Sequence, residues 1–146
     1  MSNSKWLRIP ILMVIAIILV MIYGYWIEPN RIIVREFDLI DDGIDAQVTI
    51  AQISDIHLGD YFSDKQLLPI LDKINAISPD ILVFTGDLFD NAQFYEYYDE
   101  VRDAFLTLDS EIIKIAIFGN HDLGGGGYKL YRDFMKASGF EVLVND

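Results

Sequence analysis

Cysteine is absent from this chain, which excludes disulfides and any thiolate metal site. Cationic residues are scarce: 11 Lys and Arg face 23 Asp and Glu, for a net charge of −12. The first 36 residues hold four Lys or Arg against two acids, so the excess of acid lies beyond them. A domain so acidic repels phosphate backbones and gains nothing from counterion release, which argues against a nucleic-acid partner. Histidine occurs only as His57 and His121. The glycine string Gly124–Gly127 lacks the Lys-Ser/Thr pair that a phosphate-binding P-loop requires, and it reads as a flexible turn.

What the sequence does have is one long apolar run. Ile9 to Ile27 carries no charge, and at about 1.5 Å per helical residue it approaches the roughly 30 Å hydrocarbon core of a bilayer. Trp6 precedes the run and Tyr23, Tyr25 and Trp26 close it, as an aromatic belt does at the two interfaces. A cleaved signal peptide has a shorter apolar region, about 7 to 15 residues, followed by small residues. Residues 9–27 therefore read as an uncleaved single-pass signal anchor. Lys5 and Arg8 precede it, placing residues 1–8 in the cytoplasm and the following domain outside, although Arg31 and Arg35 dilute that asymmetry.

Beyond the anchor, 146 residues leave room for one domain with a modest core. Glu28-Pro29-Asn30 should end the helix, and residues 28–46 read as a linker and first strand, with alternation over Arg31–Ile40 and a turn at Asp41-Asp42-Gly43. Residues 47–146 form the domain. Ser63-Asp64-Lys65-Gln66 has capping-box spacing and precedes apolar residues at helical intervals, with Pro69 expected to bend the first turns. A second helix is predicted over Ala92–Leu108 with Phe94, Tyr97, Val101, Phe105 and Leu108 inward, and a third over Tyr128–Ser138 capped by Gly139. Strands are predicted at Ile50–Ile53, Ile81–Thr85, Glu111–Phe118 and Phe140–Val144. The order β-α-β-α-β-α-β predicts an α/β domain with a largely parallel sheet.

Three strands end in polar clusters: Asp55-Ile56-His57, Gly86-Asp87-Leu88-Phe89-Asp90 and Gly119-Asn120-His121-Asp122. Residues i and i+2 share a face of an extended strand, so Asp55 and His57 can grip one cation. Parallel strands joined by right-handed crossovers point one way, and their carboxyl ends form a single ligand-binding edge. Asp55, His57, Asp87, Asp90, Asn120 and His121 should converge there. Carboxylates and imidazoles without thiolate suit Mn, Fe, Zn or Mg. Each cluster alone has a plainer reading, as a strand end or an Asx turn.

Taken in order, D-x-H, G-D-x-x-D and G-N-H-[D/E] resemble the calcineurin-like metallophosphoesterase superfamily, and in particular its bacterial membrane-anchored members. The resemblance runs from about Val48 onward, with equal intervals at residues 58–85 and 91–118. It implies half of an αββα sandwich, and two divalent metal ions (Mn, Fe or Zn). Asp55 and His57 would hold the first ion, Asp87 would bridge both, and Asn120 would hold the second. His121 would face the substrate with Asp122 steadying its ring, and Asp90 would stand behind the ligands. The implied activity is hydrolysis of a phosphate ester or pyrophosphate on a phosphorylated small molecule or lipid. The superfamily's further G-H and H-x-H blocks come from a second half that this stretch does not contain. The alternative reading is a catalytically incomplete, membrane-tethered metal-binding or interaction fragment.

Overall fold

A computed structural model describes residues 4–40, 43, 46–124 and 127–145, with side chains from Arg8 onward. It divides into two compact units, Met1–Leu39 and Ile40–Asp146. In the first, helix α1 (Ser4–Ile22) continues as a π-helical turn, Tyr23–Ile27, and a 3-10 turn, Glu28–Asn30. Arg8–Asn30 is long and apolar enough to cross a membrane, with mean hydropathy 2.4. Pro29 sits at the start of the final turn, where its missing N–H costs nothing.

The strand expected over Arg31–Ile40 does not form. That segment lacks secondary structure, and no strand of the sheet pairs with it; alternation without a ladder partner leaves Phe37, Leu39 and Ile40 in solvent. Asp41 and Asp42 of the expected turn lie outside the described residues, as do residues 125 and 126 of the glycine string.

The second unit is an α/β layer. Strands β1 (Ile50–Ile53), β2 (Ile81–Phe84), β3 (Ile113–Ala116) and β4 (Glu141–Val142) form one parallel sheet in that order. Helix α2 (Asp64–Ile77) starts at the expected capping box, where the Ser63 N–H donates to Gln66 Oε1 at 3.0 Å. Helix α5 (Gly127–Ala137) ends in a Schellman motif: Gly139, at φ +88°, donates to the Lys136 carbonyl, and Phe140 donates to that of Met135.

The helix predicted over Ala92–Leu108 is interrupted. Asn91 Oδ1 accepts from the Gln93 N–H and starts a 3-10 turn, Ala92–Phe94, and only Tyr98–Phe105 becomes helix α3. The break changes which aromatics turn inward. Phe94 and Tyr97 are exposed, whereas Tyr95 and Tyr98 pack on Phe89, and Tyr98 also on Phe134. Val101, Phe105 and Leu108 are buried as expected.

Register and pleat show which sheet face is covered. Ala51, Leu82 and Lys114 share one row and Ile53, Phe84, Ala116 and Val142 another, with Phe84 meeting Phe105 and Phe140. Buried side chains of α2, α3 and α5 join that same cluster. Each fully buried Leu or Phe contributes about 1.5–3 kcal/mol, so this layer supplies the domain's hydrophobic stability. Among the described residues no such layer lies on the opposite rows, Ile50-Ile81-Ile113 and Gln52-Val83-Ile115, where Ile50 is 60% and Ile113 56% exposed. The apolar runs of the strands are thus covered by the described helices on one face.

Two predictions follow from this core. First, residues 40–146 should bind a hydrophobic dye through the open rows, and Ile50→Lys with Ile113→Lys should remove most of that binding; no dye binding by the parent domain would refute the open face. Second, burial pushes the hydroxyls of Tyr95 and Tyr98 up to about 12 and that of Tyr131 higher still. The Tyr131 hydroxyl donates to the Ile117 carbonyl at 2.8 Å. Below the ordinary phenol pKa of about 10 the phenols are neutral folded or unfolded and stability is whole; above it the unfolded chain ionises first, so stability falls as pH rises. Melting temperature should therefore be flat to about pH 10 and drop beyond it, less steeply in Tyr131→Phe. A flat alkaline profile would contradict the buried phenols.

Candidate metal centre

The parallel ladder does not stop where the strands stop. Asp55 N donates to the Gly86 carbonyl (3.0 Å), His57 N to that of Asp87 (3.1 Å) and Leu58 N to that of Leu88 (2.8 Å), and an isolated bridge joins Leu58 to Phe89. The loops after β1 and β2 therefore run side by side, carrying Asp55 and His57 past Asp87 and Asp90.

The geometry differs from extended strand. Asp55, His57 and Asp87 have φ of 54°, 51° and 57°, so three neighbouring site residues occupy the left-handed region, uncommon outside glycine. Asp55 and His57 still meet, His57 Nε2 lying 3.9 Å from Asp55 Oδ1, but through left-handed turns rather than strand alternation. Gly86 (φ +100°) lies against the backbone of Gly119, and Gly119 against the Asp87 carboxylate; a Cβ at either would collide. The two glycines let the β2 and β3 loops touch.

One donor atom each from Asp55, His57 and Asp87 lies within 4.8 Å of the others, and the same holds for His57, Asp90 and His121. The second group is already satisfied internally. His57 Nδ1 meets Asp90 Oδ1 at 2.9 Å, and His121 Nδ1 meets the Asp90 carbonyl at 2.9 Å. Both acceptors require the proton on Nδ1, leaving each Nε2 as the outward nitrogen. The His57 and His121 rings meet edge to face, 4.7 Å between centroids. Asp90 thus orients both imidazoles.

Asp122 departs from expectation. Its carboxylate, in a residue 1% exposed, accepts from the Asp87 N–H (2.7 Å), the Gly119 N–H (2.8 Å) and, at 3.4 Å, the Leu88 N–H. The His121 ring is held by Asp90, not by Asp122, because Asn120–Leu123 forms a one-turn helix α4 whose third residue bonds back to its N-cap. Burial raises the Asp122 pKa, opposed by those three N–H donors. In return, Asp87 Oδ1 accepts from the His121 N–H at 2.8 Å. The His121 pKa is raised, first by the bond to the Asp90 carbonyl and then by the charges of Asp87, Asp90 and Asp122.

Asn120 and His121 line an open cleft of about 290 Å³ with Asp90, Asn91, Gln93 and Gly124. All six residues expected to converge therefore lie at one sheet edge. Asn91 and Gln93 were not singled out from the sequence; the Asn-x-Gln spacing of their Asx turn is the signal that could have marked them. Among the described residues, the ion pairs of Arg102 and Arg132 go to acids within their own helices, and none reaches a site carboxylate. Among the described residues the centre gathers Asp55, Asp87 and Asp90 around the imidazoles of His57 and His121. The His and Asp groups can hold a metal ion: the His57 ring, held by Asp90, sits beside the carboxylates of Asp55 and Asp87.

Comparison with known proteins gives the same direction. The Calcineurin-like phosphoesterase family profile matches residues 48–144. The chain is 40% identical over 129 residues to the uncharacterized metallophosphoesterase YkuE of Bacillus subtilis, covering 84% of this chain and 45% of that protein. It is 38% identical over 73 residues to the UDP-2,3-diacylglucosamine pyrophosphatase LpxG of Chlamydia muridarum, covering 50% of this chain and 22% of that protein. The chain thus spans less than half the length of these relatives. Pseudomonas putida nuclease MPE superimposes with TM-score 0.49 and 20% identity, over 64% of this chain and 46% of that one. A profile match across most of the chain, on the strands and loops that assemble this acidic centre, places the protein in the calcineurin-like phosphoesterase family.

Proposed function

We propose that the chain carries the metal-holding half of a membrane-anchored hydrolase of phosphate esters or pyrophosphates. The observation that carries this reading is the Asp55-His57-Asp87 group, whose donor atoms lie within 4.8 Å of one another while Asp90 fixes the His57 ring. Asp55 and His57 would hold one divalent ion, Asp87 both, and Asn120 the second, with Mn, Fe or Zn suited to this O and N set. When bound, such a pair supplies Lewis acidity and activates water near neutral pH.

The chain's own side chains have separable tasks. His121 faces the cleft with Nδ1–H engaged on the Asp90 carbonyl, and its raised pKa favours a proton on Nε2 as well. That proton is placed for transfer to a departing oxygen or for a hydrogen bond to phosphoryl oxygens. Asp90 keeps the ring from turning. The substrate class is a phosphorylated small molecule or lipid, a reading supported by the relatives named for a lipid-linked pyrophosphate. The Arg8–Asn30 helix would hold the domain at the outer face of the cell membrane, amino terminus inside. A second reading, a tethered metal-binding or interaction fragment, rests on the ligand count: four side chains shared by two ions give each fewer protein donors than a closed site uses.

The test is the full chain in detergent micelles with Mn²⁺, read by metal analysis and by hydrolysis of an aryl phosphate. Asp87→Asn should cut both metal content and turnover by about a hundredfold, and retained activity with no metal bound would sink the assignment. His121→Ala should lower kcat by about 10²-fold or more while metal stays bound; metal leaving with the ring would show it to be a ligand instead. Metal uptake by the parent chain without turnover would establish the second reading.

A further inference from the structure

We propose that Asp122 is a positioning residue, a buried carboxylate clamp that joins the β2 and β3 loops into one rigid metal-holding unit. The inference deepens the metal reading above and rests on it for its functional consequence. Three features carry it. Asp122 Oδ2 accepts simultaneously from the N–H of Asp87 on one loop and of Gly119 on the other, at 2.7 and 2.8 Å, and Oδ1 adds Leu88. The residue is 1% exposed, so these bonds are not exchanged with water. The bond to the Asp87 N–H also holds a residue whose backbone is left-handed, a conformation that persists only when surrounding contacts fix it.

A reciprocal bond closes the link. The Asp87 carboxylate accepts from the His121 N–H at 2.8 Å, so each loop is anchored by a carboxylate from the other. Displacing the β2 loop therefore moves Asn120 and His121 with it. An ion held by Asp55, His57 and Asp87 would find Asn120 already in place, and pre-set donors bind better because ordering them costs less at the moment of binding.

Amide hydrogen exchange on the full chain in micelles, without metal, tests the clamp itself. In the wild type the Asp87 and Gly119 amides should be protected as well as core amides are. In Asp122→Ala, which removes the oxygen both N–H groups share, both should exchange about tenfold faster or more together, while Leu82 and Phe84 keep their protection. Unprotected Asp87 and Gly119 amides in the wild type, or an Ala variant that leaves both protected, would overturn the proposal, and the first needs no variant to fold. A Mn²⁺ titration supplies the functional readout: Asp122→Ala should weaken binding by about tenfold, and unchanged affinity would overturn the positioning role. A wild-type chain that binds no Mn²⁺ but shows the protected amides would refute the metal reading and leave the clamp standing.

Discussion

The continuation of the parallel ladder beyond the strands is the constraint on which this site depends. Strand ends alone would deliver Asp55, His57, Asp87 and Asn120 to the same edge but not to the same few ångströms. Backbone bonds from Asp55, His57 and Leu58 to the carbonyls of Gly86, Asp87 and Leu88 keep the first two loops in register until Leu58 and Phe89 are both buried. Those two side chains root the loops in the core from below, while the polar residues between them face the cleft. Function and packing thus alternate along one short stretch.

Negative charge is the cost of that convergence. Asp55, Asp87, Asp90 and Asp122 crowd an edge that arginine does not reach among the described residues. The protein disperses the charge in two ways. The two buried carboxylates, Asp87 and Asp122, accept from backbone N–H groups, which gives their oxygens partners without adding a cation. The more exposed pair, Asp55 and Asp90, meets His57. One donor atom each of Asp55 and Asp87 also lies within 4.8 Å of His57 and of the other, so that these groups can hold a metal ion.

Much of this was legible in the sequence, for reasons that can be named. Apolar strands followed by Asp, Asn and His at even intervals predicted the sheet edge, and the capping box at Ser63 and the glycine at 139 set two helix boundaries correctly because both are local signals. The failures came where the deciding contact was distant or where a local turn outweighed periodicity. Residues 31–40 alternate like a strand, yet among the described residues no strand pairs with them. Phe94 and Tyr97 fit a helical stripe, but the Asn91 turn shifted the phase and turned Tyr95 and Tyr98 inward instead. The left-handed turns at Asp55, His57 and Asp87 carry only a weak residue-type signature, since Asp and His enter that region more often than most residues but far less readily than Gly. Asp122 reads as a partner of the neighbouring His121, whereas its carboxylate bonds Gly119 three residues back and Asp87 and Leu88, 35 and 34 residues away in sequence.

One-sided burial explains why the loops need bracing of their own. In a sheet covered on both faces, strand ends are immobilised by packing from above and below. Here the helices cover only the Leu82 and Phe84 side, and Ile50 and Ile113 stand open on the other. Packing can fix the site from one direction alone. The remaining constraint comes from polar links within the edge: Asp122 across the β2 and β3 loops, Asp90 across the two histidines, and the Tyr131 hydroxyl on the Ile117 carbonyl just before the β3 loop. Such bonds are directional where apolar packing is not, and net contributions of about 1–3 kcal/mol each for those involving charge are enough to hold a left-handed backbone costing about the same. The edge is therefore braced by polar bonds as well as by packing, and two of the residues that brace it, Asp90 and Asp122, belong to the same acidic clusters that form the candidate site.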